Sequence, residues 1–328
     1  MKASFREVQG AAAREAALGT DAGGLDGVGV ALGMAGAVLF SMKAILVKMA
    51  YDVVPDLPAV TLMVLRMGLS LPVYLLILLI ARRAGEGRIG ARETLSAMAA
   101  GVLAYYVCTF LDFQGLKYIT AQLERLLLFT YPAFVVIFGA LFFGGRITRA
   151  GLASVALAYS GLAVVFLRGD ITESDNLWLG AGLILLCAAL FALFQLLAKG
   201  FVDRIGARVF TCLAMIGAAT ALLLHFFIGS GGPPGMVDAL QLPRELWVIA
   251  VALALFCTLM PSFFINMAIG RIGAQRVAIL GMVGPLATIV AAIAVLGEPF
   301  GVWDAVGTLV TLLGIGLYTY SSTRPRAT

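Results

Sequence analysis

Five ionisable side chains, Lys43, Arg66, Asp112, Glu124 and Arg125, stand inside long apolar runs of a 328-residue chain. A charge near the centre of a bilayer costs about 2.5–3.5 kcal/mol on insertion scales, so it faces protein or water and is a functional candidate by default. Three cations and two anions around one cavity would offer a cation to a carboxylate and an acid to an ammonium. That combination suits a zwitterion such as an amino acid. A sugar needs no charge, and a lipophilic cation needs no lysine. The same groups could instead neutralise one another in a buried network that only fixes packing, a reading that weighs most on Arg66 and Arg125. Within its apolar runs the second half of the chain has neutral polar groups, Gln195, Thr258, Ser262, Asn266 and Thr288, with His225 near the end of a run.

Spacing adds aromatic neighbours to the acids. Tyr105, Thr109 and Asp112 follow i, i+4, i+7 and would share one face of a helix, as would Glu124, Leu128 and Tyr131. A face of tyrosine and acid would line a cavity for an amphipathic solute. The candidate substrate-contacting set is therefore Lys43, Tyr105, Asp112, Glu124, Tyr131, Gln195 and Asn266, with Arg66 and Arg125 as a structural charge network.

The elements that position these residues follow from composition. The chain is 61% hydrophobic and 12% charged, with a mean hydropathy of +1.01. A soluble domain is nearer 45–50% apolar with roughly twice the charge, so this is an all-α polytopic membrane protein. Runs of about 20 apolar residues, the length that crosses a bilayer, occur ten times. Their approximate limits are 27–51, 57–81, 93–114, 119–143, 147–167, 177–198, 207–228, 246–269, 273–296 and 301–321. The four cysteines lie singly inside these runs and read as buried thiols. Residues 1–26 lack the plan of a cleaved signal and form an N-terminal tail; 322–328 form the C-terminal one.

With both termini in the cytoplasm, the inner segments hold 16 Lys and Arg and the outer loops only Lys117, Arg168 and Arg244. That asymmetry is the positive-inside signature. It makes the net charge of +5 topogenic, with no nucleic-acid partner required.

An internal repeat is also legible. Gly29, Phe40, Leu46 and Lys48 recur at an offset of 151 as Gly180, Phe191, Leu197 and Lys199. Ile119, Ala121, Gln122, Pro132, Gly144 and Gly161 recur at an offset of 153 as Ile272, Ala274, Gln275, Pro285, Gly297 and Gly314. Units at 27–167 and 177–321, joined by an outer linker 168–176, each contain five spans. An odd number sends the second copy through the membrane in the opposite sense, the inverted repeat of many secondary transporters. Pro132 and Pro285 then mark matched breaks or hinges near the midplane, each freeing a carbonyl four residues earlier, at Leu128 and Gly281.

These residues resemble the drug/metabolite transporter superfamily, in particular its EamA-type branch of bacterial metabolite and amino-acid exporters. The likeness is carried by Phe40 to Lys48, by Arg66, by Ile119, Thr120 and Ala121 through Pro132, by Ala274 through Pro285, and by Gly297, Glu298 and Pro299. It covers about 27–321. The resemblance implies helices 1, 3, 4, 6, 8 and 9 around a central cavity, helices 5 and 10 at the periphery, and export of amino acids, aromatic or apolar ones included, or of another small metabolite or drug. Gly145 and Arg146 depart from it, standing where the family has a Gly-Glu pair that survives only at Glu298.

Enzyme signatures are absent from the sequence: there is no HExxH, GxSxG or Walker A motif, and the single histidine argues against a His-based metal site. The expected partners are a small, zwitterionic solute and the lipid bilayer, with no cofactor or metal. An intramembrane enzyme would need Asp112 and Glu124 to converge on a water, which their cationic neighbours oppose; a channel is the remaining alternative.

Overall fold

A chain inside hydrocarbon has no water to hydrogen-bond, so its backbone must close its bonds internally as helix. The computed structural model, which describes residues 26–86, 90–142, 149–168, 176–272, 277, 280–281 and 283–323, is helical in every regular element described. Seven of its helices are long and apolar enough to cross a membrane: Gly27–Val53, Ala59–Arg83, Ala91–Gly115, Ala121–Phe142, Leu177–Val202, Ala207–Gly229 and Arg244–Ile265. Ala156–Val165, Val283–Leu296 and Val302–Gly314 are shorter apolar helices. Most of the tails and of the linker lie outside the described residues, as do Gly145, Arg146, Ala274 and Gln275. Large apolar side chains cover the outside, among them Leu79 at 61%, Ile228 at 69% and Leu167 at 78% exposed. Such a surface is stable only against lipid.

Several spans are interrupted. The first is two helices, α1 (Gly27–Ser41) and α2 (Lys43–Val53), which meet at Met42. The Ser41 hydroxyl donates to the Ala37 carbonyl at 2.8 Å, a back-bond that bends helices. α3 (Ala59–Arg83) is continuous. α4 (Ala91–Gly101) and α5 (Cys108–Gly115) are joined by a π-helical stretch, Val102–Val107. The fourth span is broken at Phe129–Thr130 into α6 (Ala121–Leu128) and α7 (Tyr131–Phe142). Pro132 is thus the second residue of a new helix and not a mid-helix kink. At that position its missing N–H is among those a helix leaves unpaired anyway.

α8 (Arg149–Arg168), α9 (Leu177–Ile205), α10 (Ala207–Gly229) and the short α11 (Pro233–Ala239) follow. A second π stretch, Leu255–Leu259, separates α12 (Arg244–Ala254) from α13 (Met260–Ile272). It begins 153 residues after the first, the offset of the sequence repeat. After a turn at Gly281, α14 (Val283–Ala291) carries Pro285 in its first turn, and α15 (Val302–Thr323) closes the described chain.

The helices pack with the halves exchanged. α1 lies against α13 and α14, while α9 lies against α5, α6 and α7. α10 packs on α3 and α4, and α12 packs on α3. Matching close contacts recur: a Cβ on Gly29 would meet Ile272 at 2.6 Å, and one on Gly180 would meet Ile119 at 2.7 Å. α8 and α15 pair with each other, where a Cβ on Gly161 would lie 2.4 Å from the Thr311 nitrogen, the small-residue approach common in membranes.

Ion pairs tie loops at one end of the bundle, Arg271 to Asp26 and Arg208 to Glu86. The Arg271 guanidinium, donating to Asp26 at 3.2 Å, holds that exposed carboxyl below its ordinary range. At the other end Lys117 donates to the Leu57 carbonyl at 2.8 Å and lies 5.0 Å from the Tyr51 ring.

Candidate functional site

The buried charges gather at the break in the first span. Lys43, the first residue of α2, pairs with Asp112 on α5, and its Nζ is 3.6 Å from Glu124 Oε1 on α6. Arg125, the next residue of α6, has its Nε 3.9 Å from Glu124 Oε2. All four side chains are buried, Glu124 completely. Arg125 also donates from Nη2 to the Ser41 carbonyl at 3.1 Å and from Nε to Thr288 Oγ1 at 3.2 Å. Thr288, on α14, donates in turn to the Ser41 carbonyl at 3.1 Å. A carbonyl at the α1–α2 break is therefore satisfied by side chains from the fourth and ninth spans. Interrupting a helix inside a membrane is tolerated when neighbours supply such partners.

The network is not saturated. Asp112 Oδ1 and both oxygens of Glu124 are buried without a hydrogen-bond partner. Arg66 on α3, 6% exposed, has a buried Nε without a partner and its guanidinium 5.4 Å from the Phe113 ring centroid. Buried polar groups are nearly always bonded, so these acceptors carry hydrogen-bonding capacity that the described residues do not fill.

The remaining candidates are dispersed. Tyr105 lies within the π stretch, where more residues are used per turn than in an α-helix, so the face expected for Tyr105 and Asp112 is not that of a regular helix. Its ring meets Phe194 edge-on at 5.7 Å, and Tyr131 meets Phe191 at 5.4 Å. Phe191, Phe194, Phe210 and Phe201 continue this aromatic chain between α9 and α10. Gln195 is exposed, and the Asn266 side chain lies outside the described residues. His225 is at the surface, its Nδ1 2.6 Å from the Tyr106 hydroxyl. Ser262 donates to the Thr258 carbonyl at 2.6 Å and lies 3.3 Å from the Tyr74 hydroxyl.

Glu298 has a role that spacing could not assign. Its carboxylate accepts from Ala121 N at 2.7 Å and Gln122 N at 3.2 Å, while Gln122 Nε2 donates to the Pro299 carbonyl at 3.2 Å. With the Thr120 hydroxyl accepting from Leu123 N at 3.2 Å, it caps the first turn of α6, where a negative charge also complements the helix dipole. Gly297, with a φ of +64°, makes the turn that presents it. Beside this cap is a cavity of about 360 Å³ lined by Lys48, Asp52, Lys117, Tyr118, Thr120 and Glu298. The Gly-Glu-Pro sequence after an apolar run was the available signal; its partner 177 residues away was not.

A lipid-faced bundle, helical in every regular element described and with both signs of charge in its interior, defines a polytopic membrane protein. Two stretches of the chain, residues 27–167 and 178–320, match the EamA-like transporter family, and the chain belongs to that family. It is 30% identical over 281 residues to the uncharacterized transporter YcbK of Bacillus subtilis (strain 168), covering 83% of this chain and 86% of that one. The uncharacterized transporter YyaM of the same organism is 22% identical over 253 residues, 76% of this chain and 81% of that one. A crystal structure of 17% identity has the same fold, with a TM-score of 0.59 over 90% of this chain and 99% of its own. The protein is a membrane transporter, consistent with the drug/metabolite transporter superfamily.

Proposed function

We propose that this protein is a secondary transporter of the bacterial inner membrane that exports small metabolites, principally amino acids, by alternating access. One observation carries the reading: a buried set of Lys43, Asp112, Glu124 and Arg125 gathers at the α1–α2 break and keeps carboxylate oxygens without hydrogen-bond partners. Those oxygens suit an ammonium, and the neighbouring cations suit a carboxylate. Tyr105, Tyr131, Gln195 and Asn266 complete the proposed lining, and the breaks beside Pro132 and Pro285 act as hinges.

In this reading the molecule has ten spans in two inverted units, 27–167 and 177–321, with both termini cytoplasmic. Packing that recurs with the halves exchanged supports it, as does the matched position of the π stretches Val102–Val107 and Leu255–Leu259. Rocking of one bundle against the other around a midplane site is the motion such architecture permits.

The test is uptake into proteoliposomes of labelled amino acids, sugars and organic cations, with and without a pH gradient. Amino acids are expected to accumulate in exchange for the same solute inside; transport of sugars or cations alone would reject the substrate class. Topology is tested separately. A single cysteine at Arg204 is expected to react only from the cytoplasm and one at Glu245 only from outside, the four native thiols being buried. Labelling of both from one side would remove the inverted arrangement.

A further inference from the structure

Among the described charges buried in the first half, cations outnumber acids. Lys43 and Arg125 are matched by Asp112 and Glu124, each cation within ion-pair reach of a carboxylate. Arg66 is left over. Among the described residues no carboxylate is paired with it, its Nε has no hydrogen-bond partner, and the Phe113 ring lies 5.4 Å from its guanidinium. Its electrostatic neighbours are Asp112, Cys257 and Tyr74. A guanidinium cannot discharge itself by losing a proton, and an aromatic face offsets only part of the cost of burying it. One anion would complete the set.

The surroundings of Arg66 differ from those of the other cations. α3 packs against the π stretch Leu255–Leu259, where Thr258 bonds the Leu253 carbonyl at 3.0 Å. Tyr74, two turns beyond Arg66 on α3, lies 3.3 Å from the Ser262 hydroxyl. π interruptions are frequent at functional sites because they shift side chains out of helical register. This one sets Cys257 of the second half beside Arg66, the one buried cation of the cluster with no carboxylate at ion-pair distance among the described residues. Lys43, by contrast, already holds two carboxylates.

We infer that Arg66, and not Lys43, binds the carboxylate of the transported solute, while the unpartnered oxygens of Asp112 and Glu124 are left to its ammonium. The inference rests on the transporter reading above and narrows it: every good substrate carries a carboxylate. The planar fork of arginine binds that group through two parallel hydrogen bonds, which lysine cannot reproduce.

The experiment varies the solute before the protein. Leucine, 4-methylpentanoate, leucinamide and isoamylamine, and the corresponding phenylalanine series, are compared for transport and for thermal protection of the wild-type protein in detergent. The amino acids and the carboxylates lacking nitrogen are expected to protect, and the amides and amines are not. Arg66→Lys and Arg66→Gln are then measured for flux. A KM raised by about thirty-fold or more for carboxylate substrates is expected, the loss typical of truncating one member of a buried charge pair. An arginine that only braces the fold would lower the melting temperature and leave the ratio of carboxylate to amide unchanged. Should Arg66→Gln not fold, the wild-type solute series and Arg66→Lys decide. Amides recognised as well as amino acids, or an unchanged KM in a folded variant, would overturn the assignment. Transport of 4-methylpentanoate without leucine would keep Arg66 and reject the amino-acid reading, whereas transport confined to sugars or amines would reject both.

Discussion

Lys43→Met is expected to destabilise this protein by about 3–5 kcal/mol, the usual cost of leaving buried charges without their partner. Lys43 lies between Asp112 and Glu124, and both acids are essentially sealed from solvent. Removing the cation leaves two carboxylates facing one another across the α1–α2 break. Melting of the purified protein in detergent, followed by fluorescence, would register the loss. Adding Asp112→Asn to Lys43→Met should restore much of the stability, because the double variant strands less charge than the single one. Such non-additivity is the expected behaviour of residues in one network. Independent, additive effects, or a Lys43→Met protein that melts like wild type, would show that Lys43 is not the centre of the network.

Glu298→Ala should act at the other end of α6. The carboxylate joins the segment after the ninth span to the first turn of the fourth, through Ala121 N and Gln122 N. Loss of a helix cap costs about 0.5–2 kcal/mol, and the local dipole interaction adds up to about 1 kcal/mol more. The same carboxylate lines the cavity that Lys48 and Lys117 border. A cysteine at Ala121, which is 0% exposed, should therefore be modified faster by a membrane-impermeant thiol reagent in the Glu298→Ala background. Glu298→Gln, which keeps an acceptor oxygen, should fall between the two. Equal labelling rates in all three would reduce Glu298 to a local cap with no part in holding the two segments together.

Hydropathy and charge were sufficient for the helical class and the membrane, because lipid imposes backbone satisfaction and apolar exteriors on any chain that crosses it. The duplicated domain was legible for a similar reason: it resides in fixed spacings such as Ile119 to Pro132 and Ile272 to Pro285. The buried charges were legible because a charge in an apolar run has few tolerable explanations. Composition could not say which charge meets which. Lys43 and Asp112 are 69 positions apart, and their pairing depends on how the first and third spans pack.

The interruption at Met42 carries no proline or glycine. It is sustained by Arg125 and Thr288, which reach the Ser41 carbonyl from 84 and 247 residues away. The π stretch containing Tyr105 defeated the helical-face argument because side-chain periodicity presupposes a regular helix. Glu298 was recognisable as a motif residue, yet its meaning lay in two backbone amides of the opposite half. The sequence by itself determined the segments, their apolar faces and the inventory of charges, all local consequences of solvation by lipid. Tertiary structure alone decided the partners, and among the described residues left Arg66 as the buried cation of the cluster with no carboxylate at ion-pair distance, because ion pairing depends on distances between helices that no local pattern encodes.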